Sequence, residues 1–256
     1  MNISARQYLF VISDVHGMYD ELDKLLENYN PKTMTLVFIG DLTDRGLQSK
    51  QVLEKAYSIL SDPDCSAVYV RGNHEQILLD FLEYPIQGYQ QFVKNGGDKT
   101  LISLLGEEFI VKNKNKPKLI AEEIKSKYPE LIKMIEESVL YYQRNNVLCV
   151  HAGVNPNLKD FKMTGNNEFI WIREEFLDSD RVWTYIDPED SIEKTLKIIH
   201  GHTPIGVAPK LYYNRINIDG GCYAGGTLVG VLLDQYGDLQ RVYKVNYKYH
   251  LNKPNF

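Results

Sequence analysis

TMTLVFIGDLTDRG, residues 33–46, begins as a run of apolar and β-branched residues and ends in a cluster of charged ones. The apolar part is typical of a strand buried in a parallel sheet. Gly40 then allows a tight turn, and Asp41, Asp44 and Arg45 follow within the next five residues. Charged residues placed directly at the end of a core strand indicate a functional site rather than an ordinary surface loop.

The same arrangement of a strand followed by a polar cluster occurs on either side of this segment. A strand expected at residues 8–13 leads into DVHG, and one expected at 66–70 leads into RGNHE. Amphipathic helices are expected between the strands, at 19–28 and 47–60. Such a βαβαβ unit almost always forms a right-handed parallel sheet, in which ligands bind beyond the carboxyl ends of the strands. We therefore expect the three clusters to meet at one edge of the sheet.

The rest of the chain contains a helical segment and then further strands. Residues 76–142 read as helical and loop-rich, like an insert. Strands return before HAG (151–153) and within LKIIHGHTP (196–204), and residues 211–247 alternate as successive hairpins. Because no low-complexity linker or internal repeat interrupts the chain, we expect a single domain over residues 1–256.

The composition is that of a soluble globular protein. The chain has 256 residues, of which 43% are hydrophobic and 25% charged, enough for a large core. A net charge of −5 gives no support for a nucleic-acid partner, and no apolar run approaches the roughly 20 residues of a membrane helix. Three widely spaced cysteines favour buried thiols in a reducing cytoplasm over a disulfide framework. The sequence carries no signal for an oligomeric state.

Histidines are concentrated at the strand ends, where acidic residues and an asparagine join them. The set comprises His16, His74, His151, His200 and His202, together with Asp14, Asp41 and Asn73. Mixed imidazole and carboxylate ligands suit manganese, iron or zinc, and two such ions about 3.5–4 Å apart can promote a displacement at phosphorus. Asp41 follows the middle strand of the βαβαβ unit, where one carboxylate can be shared between two ions.

Five motifs in order resemble those of the PPP-type metallophosphatases, which are serine/threonine protein phosphatases with bacterial and phage relatives in the calcineurin-like phosphoesterase superfamily. The motifs are DVHG (14–17), GDLTDRG (40–46), RGNHE (71–75), HAG (151–153) and GHTP (201–204), while NGGDKTL (95–101) and FIWIREEF (169–176) resemble bacterial members. The resemblance implies an α/β fold in which two mixed β-sheets pack as a sandwich flanked by helices. It also implies two divalent metal ions, with manganese expected and iron or zinc as alternatives.

The same resemblance assigns metal ligands. Asp14 and His16 hold the first ion, Asp41 bridges the two ions, and Asn73, His151 and His202 hold the second. His200 lies two residues from His202 and competes for its role, but the pattern GHT favours His202 as the ligand.

A hydroxide held between the two ions is then expected to attack phosphorus in line with the leaving oxygen. Arg45 is the first candidate for binding the phosphoryl oxygens, because a guanidinium matches two oxygens at once. Arg173 is the second candidate by resemblance, Asn73 adds a further phosphate contact, and Arg71 is the weakest candidate.

His74 is the expected general acid, because it neighbours a metal ligand without being required as one. General acid catalysis typically contributes 10²–10⁴-fold. We expect Asp44 to orient His74 and to raise the pKa of its imidazole.

These roles predict a metal-dependent phosphomonoesterase whose substrate is a phosphorylated protein or peptide. The DRG and GNHE motifs favour a serine/threonine phosphatase, with dual specificity open. The alternatives are a symmetrical dinucleoside tetraphosphate hydrolase or another nucleotide phosphatase, and a non-catalytic metal-binding scaffold. The scaffold is disfavoured because it has no use for a general acid. Neither a nucleic acid nor a membrane is expected as a partner.

Overall fold

The structure is a computed structural model that describes residues 7–187 and 191–247. The ends of the expected domain, 1–6 and 248–256, lie outside the described residues. The strands are β1 (Tyr8–Ile12), β2 (Met34–Phe38), β3 (Ser66–Tyr69), β4 (Tyr141–Arg144), β5 (Val147–Val150), β6 (Thr184–Ile186), β7 (Glu193–Thr195), β8 (Lys197–His200), β9 (Lys210–Leu211), β10 (Arg215–Asn217), β11 (Thr227–Leu233) and β12 (Leu239–Asn246). The helices are α1 (Tyr19–Leu26), α2 (Ser49–Leu60), α3 (Asn73–Glu83), α4 (Pro85–Phe92), α5 (Asp98–Leu105), α6 (Glu107–Asn113), α7 (Pro117–Lys127), α8 (Pro129–Glu136), α9 (Asn166–Trp171) and α10 (Glu174–Leu177).

The first sheet has the strand order β12-β11-β1-β2-β3 and contains the predicted βαβαβ unit. β2 runs parallel to both neighbours, with Phe38 opposite Ile12 on one side and Tyr69 on the other. The three strands therefore end at the same level. This register places the residues that follow them, including Asp14 and Asp41, at one edge of the sheet, as predicted.

The second sheet has the order β4-β5-β8-β10-β9, with β5, β8 and β10 parallel. HAG follows β5 and GHTP follows β8, so the second sheet brings its own polar loops to the site. Apolar side chains of both sheets form one buried cluster, including Val11 and Val37 of the first sheet and Cys149 and Ile199 of the second. The predicted fold class, an α/β protein with two mixed β-sheets packed together and flanked by helices, is confirmed.

The expectation of successive hairpins over residues 211–247 is wrong between β10 and β11, because these two strands belong to different sheets. β10 pairs parallel with β8 and antiparallel with β9, in the second sheet, whereas β11 and β12 form a hairpin in the first sheet. Alternating hydrophobicity predicts that a segment is a strand, but it does not specify the strand with which it pairs. Residues 218–226 cross from one sheet to the other.

Helices α3–α8 follow β3, and several pack on the outer face of the first sheet. Their apolar residues, among them Phe81, share a buried cluster with Phe10 and Phe38 of the sheet. Fully burying a side chain of this size contributes about 1.5–3 kcal/mol. A kink between α4 and α5, where Gly96 has φ 95°, brings Gly96 close to the site, and its carbonyl accepts the backbone N–H of Arg45 at 3.1 Å. Among the described residues, no helix is long and apolar enough to span a membrane.

Candidate active site

Backbone strain is concentrated at the strand ends. Of the non-glycine residues with positive φ in the described ranges, six of eight are predicted site residues or neighbours in the same loops: Asp14, His16, Asp41, Asp44, Arg45 and His202. Such conformations are unfavourable for residues with a Cβ and persist where the surroundings enforce them, often at functional sites. Gly40 also has a positive φ, 91°, and a Cβ at this position would collide with the backbone of Gly72. The two loops can therefore approach each other only because Gly40 lacks a side chain.

One group of side chains that could donate electron pairs to a metal ion, called a donor group below, lies between the two sheets, around His151. His151 Nδ1 donates to the carbonyl of Ile39 at 2.8 Å, so its Nε2 carries a lone pair. This Nε2 lies 3.0 Å from Asn73 Oδ1, 3.2 Å from His202 Nδ1 and 3.4 Å from Asp41 Oδ1. His151 Nε2, Asn73 Oδ1 and Asp41 Oδ1 are all acceptors, and acceptors crowded in this way repel one another unless a cation lies among them. The group thus fits a divalent ion, and it contains the residues predicted for the second metal.

The protonation of these imidazoles also suits a metal. Burial lowers the pKa of His151 to about 4 and lowers the pKa of His202 well below its ordinary value. Both rings are therefore neutral near pH 7, which is the form that binds metals. His202 Nε2 is buried and has no hydrogen-bond partner among the described residues.

A second donor group comprises His16, Asp41 and His74. His16 Nδ1 donates to the carbonyl of Thr43 at 2.8 Å, and its Nε2 lies 3.5 Å from Asp41 Oδ2. Arg45 donates to His16 Nε2 at 3.0 Å and to His74 Nε2 at 2.9 Å. The guanidinium thus contacts the same nitrogen lone pairs that a first metal ion would use. His74, predicted as a general acid, therefore shares this donor group.

Asp14 is buried beside the same site but has different partners. Both of its carboxylate oxygens accept the backbone N–H of His202 at 3.1 Å, and Ser13 Oγ also contacts one of them. Burial, followed by repulsion from Asp219 and Asp41, raises the pKa of Asp14 well above its usual value. Burial also raises the pKa of Asp41, and it raises the pKa of Asp219 to about 7. Three buried carboxyls this close together are stabilised by divalent cations, so the charge balance fits the predicted metals.

His74 and Asp44 form the predicted pair, since His74 Nδ1 lies 2.7 Å from Asp44 Oδ2. The expected rise in the pKa of His74 is wrong. Burial lowers the pKa of His74 and outweighs the attraction of neighbouring carboxylates, while it raises the pKa of Asp44 to about 8. Thr100 Oγ1 donates to Asp44 Oδ1 at 2.6 Å and fixes the carboxyl. The pair is thus oriented as predicted but is less charged than expected.

The three candidate arginines occupy different positions. Arg45 bridges the two histidine rings and lies 4.3 Å over the ring of Tyr223. Arg173 donates to Thr203 Oγ1 at 3.0 Å, and its charge helps to lower the pKa of His202. Arg71 donates to Ser138, Gln76 and the carbonyl of Glu136. The Arg71 guanidinium is thus used to brace the end of α8, and the structure does not place it at the predicted phosphate position.

His200 and His202 are clearly distinguished by the structure. His202 belongs to the donor group with Asp41 and His151, whereas His200 Nδ1 lies 3.2 Å from the carbonyl of Gly201 and its ring packs edge-on against Phe176 at 5.1 Å. Burial lowers the pKa of His200 to about 3. His200 therefore lies behind the site, in line with the prediction that His202 is the ligand.

Glu75 is a residue whose role the sequence interpretation missed. Its carboxylate is fully buried and accepts the backbone N–H groups of Asp41, Leu42 and Gly72 at 2.8, 2.8 and 2.9 Å. It therefore ties the loop after β2 to the start of α3, which carries Asn73. The motif RGNHE includes Glu75, but only the fold shows which backbone groups it binds.

The sequence matches a protein-family description, calcineurin-like phosphoesterase, over residues 8–247. The chain belongs to this family. The match covers both sheets and all the motif residues described above. The match shows that the chain is a metallophosphoesterase, as the predicted resemblance implied. It does not distinguish the PPP-type protein phosphatases from other members of the family.

The chain is similar to individual proteins named as nucleotide phosphatases and as protein phosphatases. A protein of Oceanobacillus iheyensis named asymmetrical bis(5′-nucleosyl)-tetraphosphatase PrpE is 32% identical over 237 residues, covering 85% of each chain. A solved structure described as a candidate diadenosine tetraphosphatase has a TM-score of 0.61 at 17% identity and covers 96% of each chain. A protein serine/threonine phosphatase from Saccharomyces cerevisiae has a TM-score of 0.55 at 15% identity, over 99% of this chain and 83% of its own. At these identities the two solved structures show a shared fold alone.

Proposed function

We propose that this calcineurin-like phosphoesterase hydrolyses a dinucleoside tetraphosphate asymmetrically, into a nucleoside triphosphate and a nucleoside monophosphate. The supporting observation is its 32% identity, over 85% of both chains, to a relative named for this activity. The sequence analysis favoured a phosphoprotein substrate and gave the symmetrical tetraphosphate reaction as its alternative. The relatives favour that nucleotide alternative, but with asymmetrical cleavage.

The residues at the strand ends suit phosphate chemistry. The two donor groups would hold divalent ions, and such ions, when bound, would lower the pKa of a water and neutralise charge on the phosphoryl oxygens. Arg45 is placed between His16 and His74, where it can pair with two phosphoryl oxygens once it releases the histidines. Arg173, beside His202, supplies a second positive charge to the bound phosphate chain.

His74 is expected to contribute differently to the rates of the two candidate reactions. Its Nδ1 is held by Asp44, so Nε2 is the atom that can pass a proton to a leaving oxygen, once Arg45 has released it and the ring has taken up a proton from solvent. A serine or threonine alkoxide must be protonated as it leaves. A nucleotide phosphate, whose second pKa is about 6, leaves readily without a proton. Loss of His74 is therefore expected to slow peptide dephosphorylation more than nucleotide cleavage.

A phosphoprotein phosphatase is the second candidate, favoured by the DRG and GNHE motifs around Arg45 and His74. The test compares metal-stripped protein before and after addition of Mn²⁺, with diadenosine tetraphosphate and a phosphothreonine peptide assayed in parallel. The proposal predicts metal-dependent cleavage of the nucleotide with a kcat/KM well above that for the peptide. The opposite preference would reject the proposal in favour of the second candidate.

A further inference from the structure

Trp171 is an exposed aromatic residue at the edge of the metal donors. It is the last residue of α9, and 40% of its surface is exposed. Its indole lies edge-on to the ring of His202, with centroids 5.9 Å apart and planes at 87°. The protein's other tryptophan, Trp183, is 4% exposed and stacks against Arg181. Singly exposed apolar side chains are common on protein surfaces, so the contact with His202, rather than the exposure, is the feature that indicates a role for Trp171.

The local chain explains how Trp171 comes to be there. Phe169 and Ile170, which precede it, are buried in the apolar cluster beneath the second sheet. Ile172 has φ −58° and ψ 139°, so the helix ends at Trp171 and the chain becomes extended. Arg173 follows and is held by Thr203. The exposed indole and the predicted phosphate-binding guanidinium are therefore carried by the same short segment.

Trp171 and Arg173 border a surface cavity of about 300 Å³, whose other walls include Glu168, Glu174 and Glu175. This volume is at the lower end of the range for small-molecule sites. The acidic side chains repel a polyphosphate chain, so the phosphates of a nucleotide would stay on the side of Arg173 and the metal donors. A neutral base with N–H donors is better matched to these carboxylates than a phosphate is.

We propose that Trp171 stacks on the nucleobase of the nucleotide whose α-phosphate is attacked. This inference rests on the proposed nucleotide function and deepens it. A single ribose separates a base from its α-phosphate, whereas the β-phosphate lies one phosphate unit farther away. An aromatic ring in contact with the metal-donor residue His202 thus fits attack at the α-phosphate, and hence asymmetrical cleavage, better than attack at the centre of the chain.

Stacking of a base on an aromatic side chain changes affinity by about 5- to 150-fold on alanine substitution. We expect Trp171→Ala to raise KM for diadenosine tetraphosphate by about 10-fold, and Trp171→Phe to recover most of that loss. Tyr236→Ala is the matched control. Tyr236 is also an exposed aromatic, but it lies in the turn after β11, whose Leu233 pairs with Leu9 at the end of β1 away from the site.

The kinetic test uses two substrates that differ only in their bases: diadenosine tetraphosphate and its abasic counterpart, bis(5′-ribosyl) tetraphosphate. The proposal predicts that Trp171→Ala lowers kcat/KM for diadenosine tetraphosphate about 10-fold and leaves kcat/KM for the abasic substrate unchanged. The metal content of the protein should also be unchanged. Equal losses on both substrates would overturn it, because they would show that Trp171 only supports the metal donors. No loss on either substrate would overturn it as well.

A binding measurement provides a readout independent of turnover. Titration of the protein with adenosine monophosphate should quench the fluorescence of Trp171, and the quenching should be absent in Trp171→Phe. Ribose 5-phosphate should give no quenching. A wild-type protein that cleaves the dinucleotide but shows no base-dependent quenching rejects the stacking role alone. A wild-type protein that cleaves only the phosphopeptide rejects the proposed function itself and the stacking role with it.

Discussion

Replacing Glu75 by glutamine should destabilise the loop that carries Asp41, although the two side chains have nearly the same shape. In the native protein, Glu75 Oε2 accepts the N–H groups of Asp41 and Gly72, and Oε1 accepts that of Leu42. Glutamine offers one oxygen, so its NH₂ group must face one of these N–H donors. At least one buried N–H is left without an acceptor, and the remaining N–H groups bind a neutral oxygen in place of a charged carboxylate.

The size of the effect follows from these contacts. A buried donor left unsatisfied costs about 1–3 kcal/mol, and a bond to a charged group exceeds a neutral one by about 1 kcal/mol. Burial raises the pKa of the Glu75 carboxyl, which means that part of the charge advantage is already offset in the native protein. One unsatisfied donor and two weakened bonds sum to about 3–5 kcal/mol, and because of this offset we expect a smaller loss, of about 2 kcal/mol. In a chain of this length that corresponds to a fall in Tm of about 4–8 °C.

Calorimetry on metal-free protein measures this fall without a contribution from metal binding. Glu168→Gln is the matched control, because Glu168 accepts a similar backbone N–H from Gly165 at the start of α9 but is only half-buried. Its Tm should fall by less than half as much. A Glu75→Gln protein that melts within 1 °C of wild type, or no lower than Glu168→Gln, would refute the reasoning.

Three further predictions concern the site and the thiols. Asp41→Asn should lower the bound metal and reduce kcat at least 100-fold, because Asp41 belongs to both donor groups; metal analysis and steady-state kinetics measure the two effects. His74→Asn should reduce kcat by 10²–10⁴-fold on a phosphothreonine peptide and by less on diadenosine tetraphosphate, and an equal loss on both would exclude the proposed leaving-group difference. Native protein should expose one readily reacting thiol to Ellman's reagent at pH 8, Cys65, and all three after denaturation, because Cys149 and Cys222 are buried and burial raises the pKa of both thiols, that of Cys222 to about 12.

Much of the site was predictable because each motif follows a strand directly. Once a strand and its direction are known, the edge of the sheet at which the next residues lie is also known. This is the case for Asp14, Asp41 and His151. Thr100 could not be placed in this way. It lies 56 residues from Asp44 in sequence and reaches it through the docking of α5, which no local pattern specifies.

The pairing of β10 was unpredictable for a related reason. Its short apolar sequence marks a strand, but its neighbours β8 and β9 are chosen by the packing of the second sheet. The lowered pKa of His74 was also missed, since a sequence shows carboxylates near this histidine but not the burial that outweighs the attraction of Asp41 and Glu75. Exposure of Trp171 was equally invisible, because FIWIREEF contains several apolar residues of which this one faces outward.

The most direct test of the proposed function identifies the products formed from diadenosine tetraphosphate by metal-loaded protein in ¹⁸O-labelled water. Asymmetrical cleavage yields adenosine monophosphate and adenosine triphosphate in equal amounts, and attack at the α-phosphate places the label in the monophosphate. Symmetrical cleavage would instead yield two molecules of adenosine diphosphate from each dinucleotide, one of them labelled, and this result would contradict the proposal. So would metal-dependent release of phosphate from a phosphopeptide with the dinucleotide left intact.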